Sequence, residues 1–425
     1  MRRGTAGDGE TSNVTDRTQK TYLCECARAP AAGILEAAAT LFLLLIAVRF
    51  YDAGSTAKGL VAGGGSLGLL IAPWLVRKVE DARMPVAKAA AILAFVGATS
   101  YVVMALTPLL PVFVIMSVVA LTTSSAAIPL MTQIYQDNYP ERQRGKLFSR
   151  TMMLRIGTAA LFSYLGGKAL EGRDSWYRWL PLVFAAACAF AGFCLLQCPS
   201  RPLTASGGTH PFHAFRYLRE DRIFRQTIIS WIFLGFATLM MAPLRVEYLA
   251  NPKYGVQVKG EVLTAFMVAL LTGVIPNCAR LVLNPVWGWL FDKMNFFVLR
   301  ITLNCGFILG IISFFITGSL AGLVIGAILF GMSNAGADVA WGLWVTKFAP
   351  PDRVADYMSV HTFFTGVRGV AAPLVAFFLV SRMSPNLLAW VSVALILIAC
   401  AFLIPEIKFG RAARRAAPLV EEITE

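Results

Sequence analysis

Residues 385–405 read PNLLAWVSVALILIACAFLIP, without one charged side chain. At 1.5 Å per residue, a helix of that length spans about 30 Å, the thickness of a bilayer's hydrocarbon core. The run is continuously apolar, whereas a strand of a membrane barrel would alternate apolar and polar residues. Within one segment surrounded by lipid, only a helix satisfies its own backbone polar groups. The stretch reads as a membrane-spanning helix, and the chain before it repeats the pattern.

Eleven further apolar segments precede it, at 30–50, 56–77, 84–106, 109–135, 147–170, 177–198, 226–248, 260–290, 297–317, 319–346 and 355–381. Short turns rich in Pro, Gly, Asp or Asn separate them, such as Thr107-Pro108 and Ser384-Pro385-Asn386. The composition agrees. Of 425 residues 57% are hydrophobic and only 15% charged, with a mean hydropathy of +0.65; soluble domains carry roughly 25% charged residues. Twelve spans of roughly 20 residues take about 240 of the 425, which leaves no room for a large soluble domain. The expected fold is an all-α membrane protein of twelve transmembrane helices in two pseudo-symmetric six-helix bundles. Its parts are an N-terminal tail (1–29), a first half (30–198), a central loop (199–225), a second half (226–405) and a C-terminal tail (406–425).

The charge is distributed as a membrane protein requires. Cytoplasmic loops of such proteins carry an excess of Lys and Arg. Of the 38 basic residues, 26 fall in the two tails and one set of alternate loops, nine in the opposite loops, and three (Arg155, Arg280, Arg368) inside spans. This places both termini in the cytoplasm, in a bacterial inner membrane or a plasma membrane, and supports an even span count. It also accounts for the net charge of +14 without nucleic acid, for which no basic run interleaved with aromatics exists outside the spans. The polar first 29 residues lack a signal-peptide core and cleavage site. Six of eight cysteines lie in or beside apolar segments and two (Cys24, Cys26) in the tail, so free thiols are expected. In the central loop, Pro and Gly residues lead into a basic amphipathic stretch, Phe212 to Arg225, read as a surface helix.

The halves look alike. Pro140-Glu141-Arg142 precedes span five and Pro351-Asp352-Arg353 precedes span eleven. Span five carries Arg155 and Gly157 before Ala159-Ala160; span eleven carries Arg368 and Gly369 before Ala371-Ala372. Span two ends Pro73-Trp74-Leu75-Val76-Arg77-Lys78, and span eight ends Gly288-Trp289-Leu290-Phe291-Asp292-Lys293. Parallel half-repeats are a known plan for transporters with a site between halves. Over roughly residues 30–405 the chain resembles the major facilitator superfamily. The segment 288–293 is similar to the Gly, Leu, Asp, Arg/Lys signature between the second and third spans of a half. The first-half copy departs, with Pro73 for the Gly and Arg77 for the Asp. In the family that Asp helps latch the halves on the cytoplasmic side, so the resemblance makes Arg77, Asp292 and Lys293 gating candidates.

A charge within the bilayer core costs several kcal/mol unless paired or hydrated, and marks a functional site by default. Five stand well inside spans: Glu36 in span one, Arg155 in five, Arg280 in eight, Asp338 in ten and Arg368 in eleven. The resemblance implies that spans one, four, seven and ten line a central cavity with two, five, eight and eleven beside it, and all five charges fall on those eight. Arg155, Arg280 and Arg368 are candidates to bind an anionic substrate, since a guanidinium fork matches carboxylate or phosphate. Glu36 and Asp338 are candidates for proton coupling, because a low-dielectric interior favours a protonated carboxyl. The alternative is that these charges form inter-helix ion pairs. Asn277 on span eight and Asn334 and Trp341 on span ten complete the candidate lining; Asn334, Asp338 and Trp341 share one helix face at i, i+4 and i+7. Thr122, Thr123, Ser124, Ser125 and Gln133 on span four serve equally as lining or as helix–helix hydrogen bonds.

No catalytic residue, cofactor or metal is expected. Gly64-Gly65-Ser66-Leu67-Gly68 matches a hydrolase elbow in letters, but that motif needs a strand before it; a glycine packing seam fits a membrane helix better. Three histidines without HExxH, and no Gly-x-x-x-x-Gly-Lys-Ser/Thr, leave metal-enzyme and ATP-driven readings without support. The expected function is a secondary transporter of a small solute working by alternating access, with protons as a candidate coupling ion and a monomer compatible with the sequence. A non-transporting receptor or assembly protein on the same fold is the alternative, motivated by the altered first-half signature.

Overall fold

The computed structural model describes residues 6–203, 213–258, 260–347 and 354–407. Among these, twelve long helices follow one another. Helix α1 runs Ala6–Ala37, passes through a π turn at Ala38–Phe42 and resumes over Leu43–Arg49. Then come α2 (Ser55–Asp81), α3 (Val86–Leu106), α4 (Leu110–Ala126 and Ile128–Asn138), α5 (Glu141–Leu170) and α6 (Trp179–Leu196). In the second half, α7 is Arg222–Ala250, and α8 is Ala265–Ala269, a π turn at Leu270–Val274, and Ile275–Lys293. Helices α9 (Phe296–Phe315), α10 (Leu320–Leu343), α11 (Val354–Val380) and α12 (Pro385–Leu403) complete the set.

Local chemistry sets many of these boundaries. Asp221, Thr264, Asn295, Ser319 and Ser384 each cap the helix that follows, accepting a hydrogen bond from a first-turn N–H, as short polar residues do at an N-cap. Helix α4 breaks at Ala127, two residues before Pro129, whose ring and missing N–H interrupt the ladder. The only sheet among the described residues is a two-stranded ribbon, β1 (Gln257–Val258) and β2 (Glu261–Val262), between α7 and α8.

Eleven helices are long and apolar enough to cross a membrane. The twelfth, α5, is 30 residues long, but Arg142, Arg144, Lys146, Arg150, Arg155 and Lys168 dilute its apolar content. The chain divides into two compact units, Met1–Ala53 with Leu60–Gly208, and Gly54–Gly59 with Thr209–Glu425. Within the first, α1 lies along α5 and α6, and α3 packs on α4 and α6. Within the second, α7 lies along α11 and α12, and α9 packs on α10 and α12. Helix α2 meets α4, where Thr122 Oγ1 donates to the Gly64 carbonyl at 3.0 Å, as α8 meets α10. The same five pairings recur six helices later, so the sequence repeat is a structural one.

Some expectations need correction. The polar N-terminus is helical: helix α1 begins at Ala6 and runs through residue 29 into the first span. Its early turns are held to the end of α4. Thr18 Oγ1 donates to the Asn138 carbonyl at 2.7 Å, and Glu25, Arg28 and Tyr135 form a closed hydrogen-bonded triad. The amphipathic stretch 212–225 is not one surface helix. A 3-10 turn and the four-residue helix Tyr217–Glu220 lead to Asp221, and α7 starts at Arg222. Residues 204–212, Pro351-Asp352-Arg353 and the tail beyond residue 407 lie outside the described residues.

Candidate functional site

In the first unit, Arg155 Nε donates to Glu36 Oε2 at 2.5 Å, bridging α5 and α1. The helices approach closely because position 33 is glycine: a Cβ there would come 2.8 Å from Thr158 Cβ and 3.0 Å from the Ala159 nitrogen. The Glu36 side chain is 11% exposed and that of Arg155 39%. The π turn of α1 begins two residues after Glu36; such turns are rare and frequent at functional sites.

In the second unit, Arg280 Nε donates to Asp338 Oδ2 at 2.6 Å, bridging α8 and α10. Here the arginine is the more buried partner, 13% exposed against 37% for the carboxylate. Gly331 permits the approach, since a Cβ there would lie 2.8 Å from Pro276 Cα. Asn277 and Asn334 are half-buried one turn before Arg280 and Asp338 respectively, and the π turn of α8 ends six residues before Arg280. The sequence-derived candidates Arg280, Asp338, Asn277 and Asn334 are thus brought to one pair of helices.

Arg368 behaves differently. It is 5% exposed on α11 and pairs with no carboxylate among the described residues. Its Nη1 donates to the Trp231 carbonyl at 2.6 Å and its Nη2 to Thr365 Oγ1 at 2.9 Å. Gly235 on α7 makes the space: a Cβ would fall 2.7 Å from Arg368 Cδ and Cζ. Beside it lies a cation absent from the sequence-derived set. Arg300 on α9 is 3% exposed and stacks 3.8 Å from the centre of the Trp231 ring, with Arg368 5.6 Å from the same centre. His361 is fully buried against Trp231, Trp344 and Trp341, at 4.9, 5.2 and 5.7 Å between ring centres.

The charge census changes accordingly. The sequence reading puts Arg300 and Arg245 in loops, but both lie inside helices, buried, with Arg245 4.4 Å from the centre of the Phe330 ring. Arg300 also places a charge on the ninth helix, where the sequence reading has none. Lys58 moves too. Together with Gly54–Gly59 it belongs to the second unit, where its Nζ donates to Glu247 Oε1 at 2.7 Å. Glu247 is fully buried, and the same oxygen accepts from Asn251 Nδ2 at 2.9 Å, with Lys253 Nζ at 3.5 Å. Burial and the Glu247 carboxylate push the phenol of neighbouring Tyr254 above its ordinary range. Removing one charge from the larger loop group and two from the smaller leaves the asymmetry standing.

The gating candidates are exposed at helix ends: Arg77 on α2, and Asp292 and Lys293 on α8, with Lys293 Nζ 4.6 Å from the centre of the Trp289 ring. On α4, Thr122 bonds α2, Thr123 Oγ1 donates to the Ala120 carbonyl and Gln133 Nε2 to Asp137 Oδ1. The GxSxG letters lie within α2, with no strand before them among the described residues, and Gly64 and Gly68 press on Val118 and Ser125 of α4. An apolar groove of about 350 Å³ between α3 and α4, lined by Ile92, Phe95, Val96, Val103 and Met116, contains none of the charges.

Comparison with known proteins finds a family pattern in the second half and a shared fold over most of the chain. Residues 271–422 match the model of the Major Facilitator Superfamily. No curated protein sequence matches the chain. Among solved structures, the nucleoside transporter NupG is 12% identical with a TM-score of 0.66, covering 93% of this chain and 98% of its own. The xylose transporter XylE from E. coli, in a partially occluded inward open conformation, is 14% identical with a TM-score of 0.66, covering 91% and 97%. A POT family transporter in complex with a thioalcohol conjugated peptide is 13% identical with a TM-score of 0.66, covering 92% and 96%. These identities speak for fold and not for substrate. The second half thus carries a sequence pattern similar to that of the Major Facilitator Superfamily, and over nine-tenths of its length the chain shares the fold of these transporters of known structure.

Proposed function

We propose that the chain is a proton-coupled secondary transporter of a small anionic solute, working by alternating access, with both termini in the cytoplasm of a bacterial inner or plasma membrane. The observation that carries this reading is the pair of arginine–carboxylate bridges, one in each unit, at 2.5 and 2.6 Å. Each has one member more than a third exposed, so neither bridge is sealed within the packed helices. While the bridge is closed, the arginine's charge is satisfied by the carboxylate. A proton on Glu36 or Asp338 removes that partner and leaves the guanidinium with an unmet charge, which an anionic solute then satisfies. Proton and anion therefore favour one another's binding, and by linkage each raises the affinity for the other. Each proton carried offsets one unit of the solute's charge, which lowers the cost of carrying an anion through a low-dielectric interior. Asn277 and Asn334 supply neutral donors beside the second bridge. Arg77, Asp292 and Lys293 remain candidates for gating at helix ends.

The test uses the full chain in liposomes. Uptake of radiolabelled succinate, gluconate and inorganic phosphate is followed with and without an inward proton gradient. At least one solute is expected to accumulate only with the gradient. Glu36→Gln or Asp338→Asn is expected to abolish accumulation while leaving solute exchange at equal pH. Uptake that ignores the gradient in both variants and the parent would contradict proton coupling. Accumulation of neutral solutes alone would contradict the anion. Absence of any solute flux would favour the non-transporting reading.

A further inference from the structure

We infer that the second unit contains an oxyanion-binding subsite between Arg300, Arg368 and His361, walled by Trp231. The cluster is a concentration of unmet polar chemistry. Arg300 Nη1, Arg368 Nε, both ring nitrogens of His361 and the indole N–H groups of Trp231 and Trp344 are all buried with no hydrogen-bond partner among the described residues. Buried polar atoms are ordinarily paired, by protein or by water, so this many orphans in one place require an occupant. Water satisfies donors but not charge. The two guanidinium groups lie on one indole, and no carboxylate among the described residues bridges to either. The partners they have, an indole ring, the Trp231 carbonyl and the Thr365 hydroxyl, are neutral. Two unneutralised cations in a low-dielectric interior are held at a steep cost, which an anion between them offsets.

The donor set fits an oxyanion. Planar guanidinium forks offer paired N–H groups that match a carboxylate or phosphate. His361 provides a further N–H from whichever ring nitrogen is protonated, and the Trp231 and Trp344 indoles add two donors. Sequence alone shows no such site, because Arg300 sits near a span boundary. Gly235, the residue without a side chain, makes room for the Arg368 guanidinium itself and so fixes where that cation sits. Trp341, half-buried, joins the cluster to the face of α10 that carries Asn334 and Asp338. The subsite therefore continues the surface of the second ion pair. It rests on the transporter reading for the route by which the anion arrives, but not for its binding.

The test is binding to purified full-length protein in detergent, without any proton gradient. Thermal unfolding and tryptophan fluorescence are followed while sodium phosphate, sodium gluconate and sodium chloride are titrated at constant sodium concentration and ionic strength. Phosphate or gluconate is expected to raise the unfolding temperature saturably and to change the fluorescence with the same midpoint. Arg300→Gln, Arg368→Gln and Gly235→Ala are each expected to weaken that midpoint tenfold or more. Lys88→Gln, on an exposed position of α3 in the other unit, leaves it within twofold. Trp231→Phe, which retains a ring face for Arg300, removes the fluorescence change in a protein that still shows the thermal shift. The inference is overturned if no oxyanion gives a saturable response, if chloride alone does, or if the response survives both arginine substitutions. Loss of gradient-driven uptake with binding intact would instead count against the proposed function and leave this subsite standing.

Discussion

Breaking the Arg280–Asp338 bridge has an asymmetric cost that can be worked from its geometry. The nitrogen–oxygen distance is 2.6 Å, with side-chain exposures of 13% for Arg280 and 37% for Asp338. With charge centres about 4 Å apart, the attraction is about 4 kcal/mol at the effective dielectric of a protein surface and about 1 kcal/mol in bulk water. Asp338 is over a third exposed, so solvent screening takes the coupling well below the upper figure, to about 1–3 kcal/mol. Asp338→Asn leaves the more buried arginine without its partner. Arg280→Gln leaves a carboxylate that can still hydrate. Asp338→Asn is therefore expected to destabilise more than Arg280→Gln, and the double variant by about 1–3 kcal/mol less than the two singles together. A double-mutant cycle by denaturant unfolding in detergent measures all three values. Additivity within about 0.5 kcal/mol would show that the two groups do not interact. The opposite order of the singles would refute the burial argument.

Other consequences follow from particular contacts. Gly331→Ala places a Cβ 2.8 Å from Pro276 Cα, where the backbone cannot yield; a loss of about 1–3 kcal/mol is expected, whereas Gly145→Ala, with nothing within 4 Å, should be neutral or slightly stabilising in the same unfolding assay. Glu247→Ala strands the 7%-exposed Lys58 side chain and should cost about 3–5 kcal/mol; Lys58→Met in the same chain should recover part of it, and a double variant no more stable than Glu247→Ala would exclude the pairing. Cys198, just past the end of α6, is buried, and a buried thiol is shielded from reagents in solution. Peptide-level mass spectrometry should find Cys198 unlabelled by maleimide at pH 8 in the folded protein and fully labelled after denaturation.

Much of the helical plan was legible because lipid imposes length and apolarity one segment at a time, as in residues 385–405. The repeat was legible from letters such as Arg155-Ile156-Gly157 and Arg368-Gly369, and the helix pairings echo it. What the sequence hid was tertiary. Nothing local tells Glu36 that its partner is Arg155, 119 positions away. Arg300 and Arg245 lie near the ends of apolar windows, where an error of one turn moves a residue from loop to bilayer. The helical start of α1 was hidden because polar composition suggests a tail, whereas the Glu25–Arg28–Tyr135 triad satisfies its charges against another helix. The π turns after Glu36 and before Arg280 have no sequence signature. Helix α5 passed as a span by its apolar core, yet its basic residues set it apart from the other eleven.

Transport by this mechanism requires that the charged bridges face a water-filled path and not acyl chains. Asp338→Cys, Arg155→Cys and Leu397→Cys, each in a chain whose native cysteines are replaced by serine, can be treated in proteoliposomes with a membrane-impermeant, positively charged thiol reagent. Leu397 on α12 is 56% exposed and apolar, and serves as the lipid-facing reference. Modification of Asp338→Cys and Arg155→Cys at least tenfold faster than Leu397→Cys is the expected result. Equal protection of all three positions would place the charges against lipid and contradict the transport mechanism.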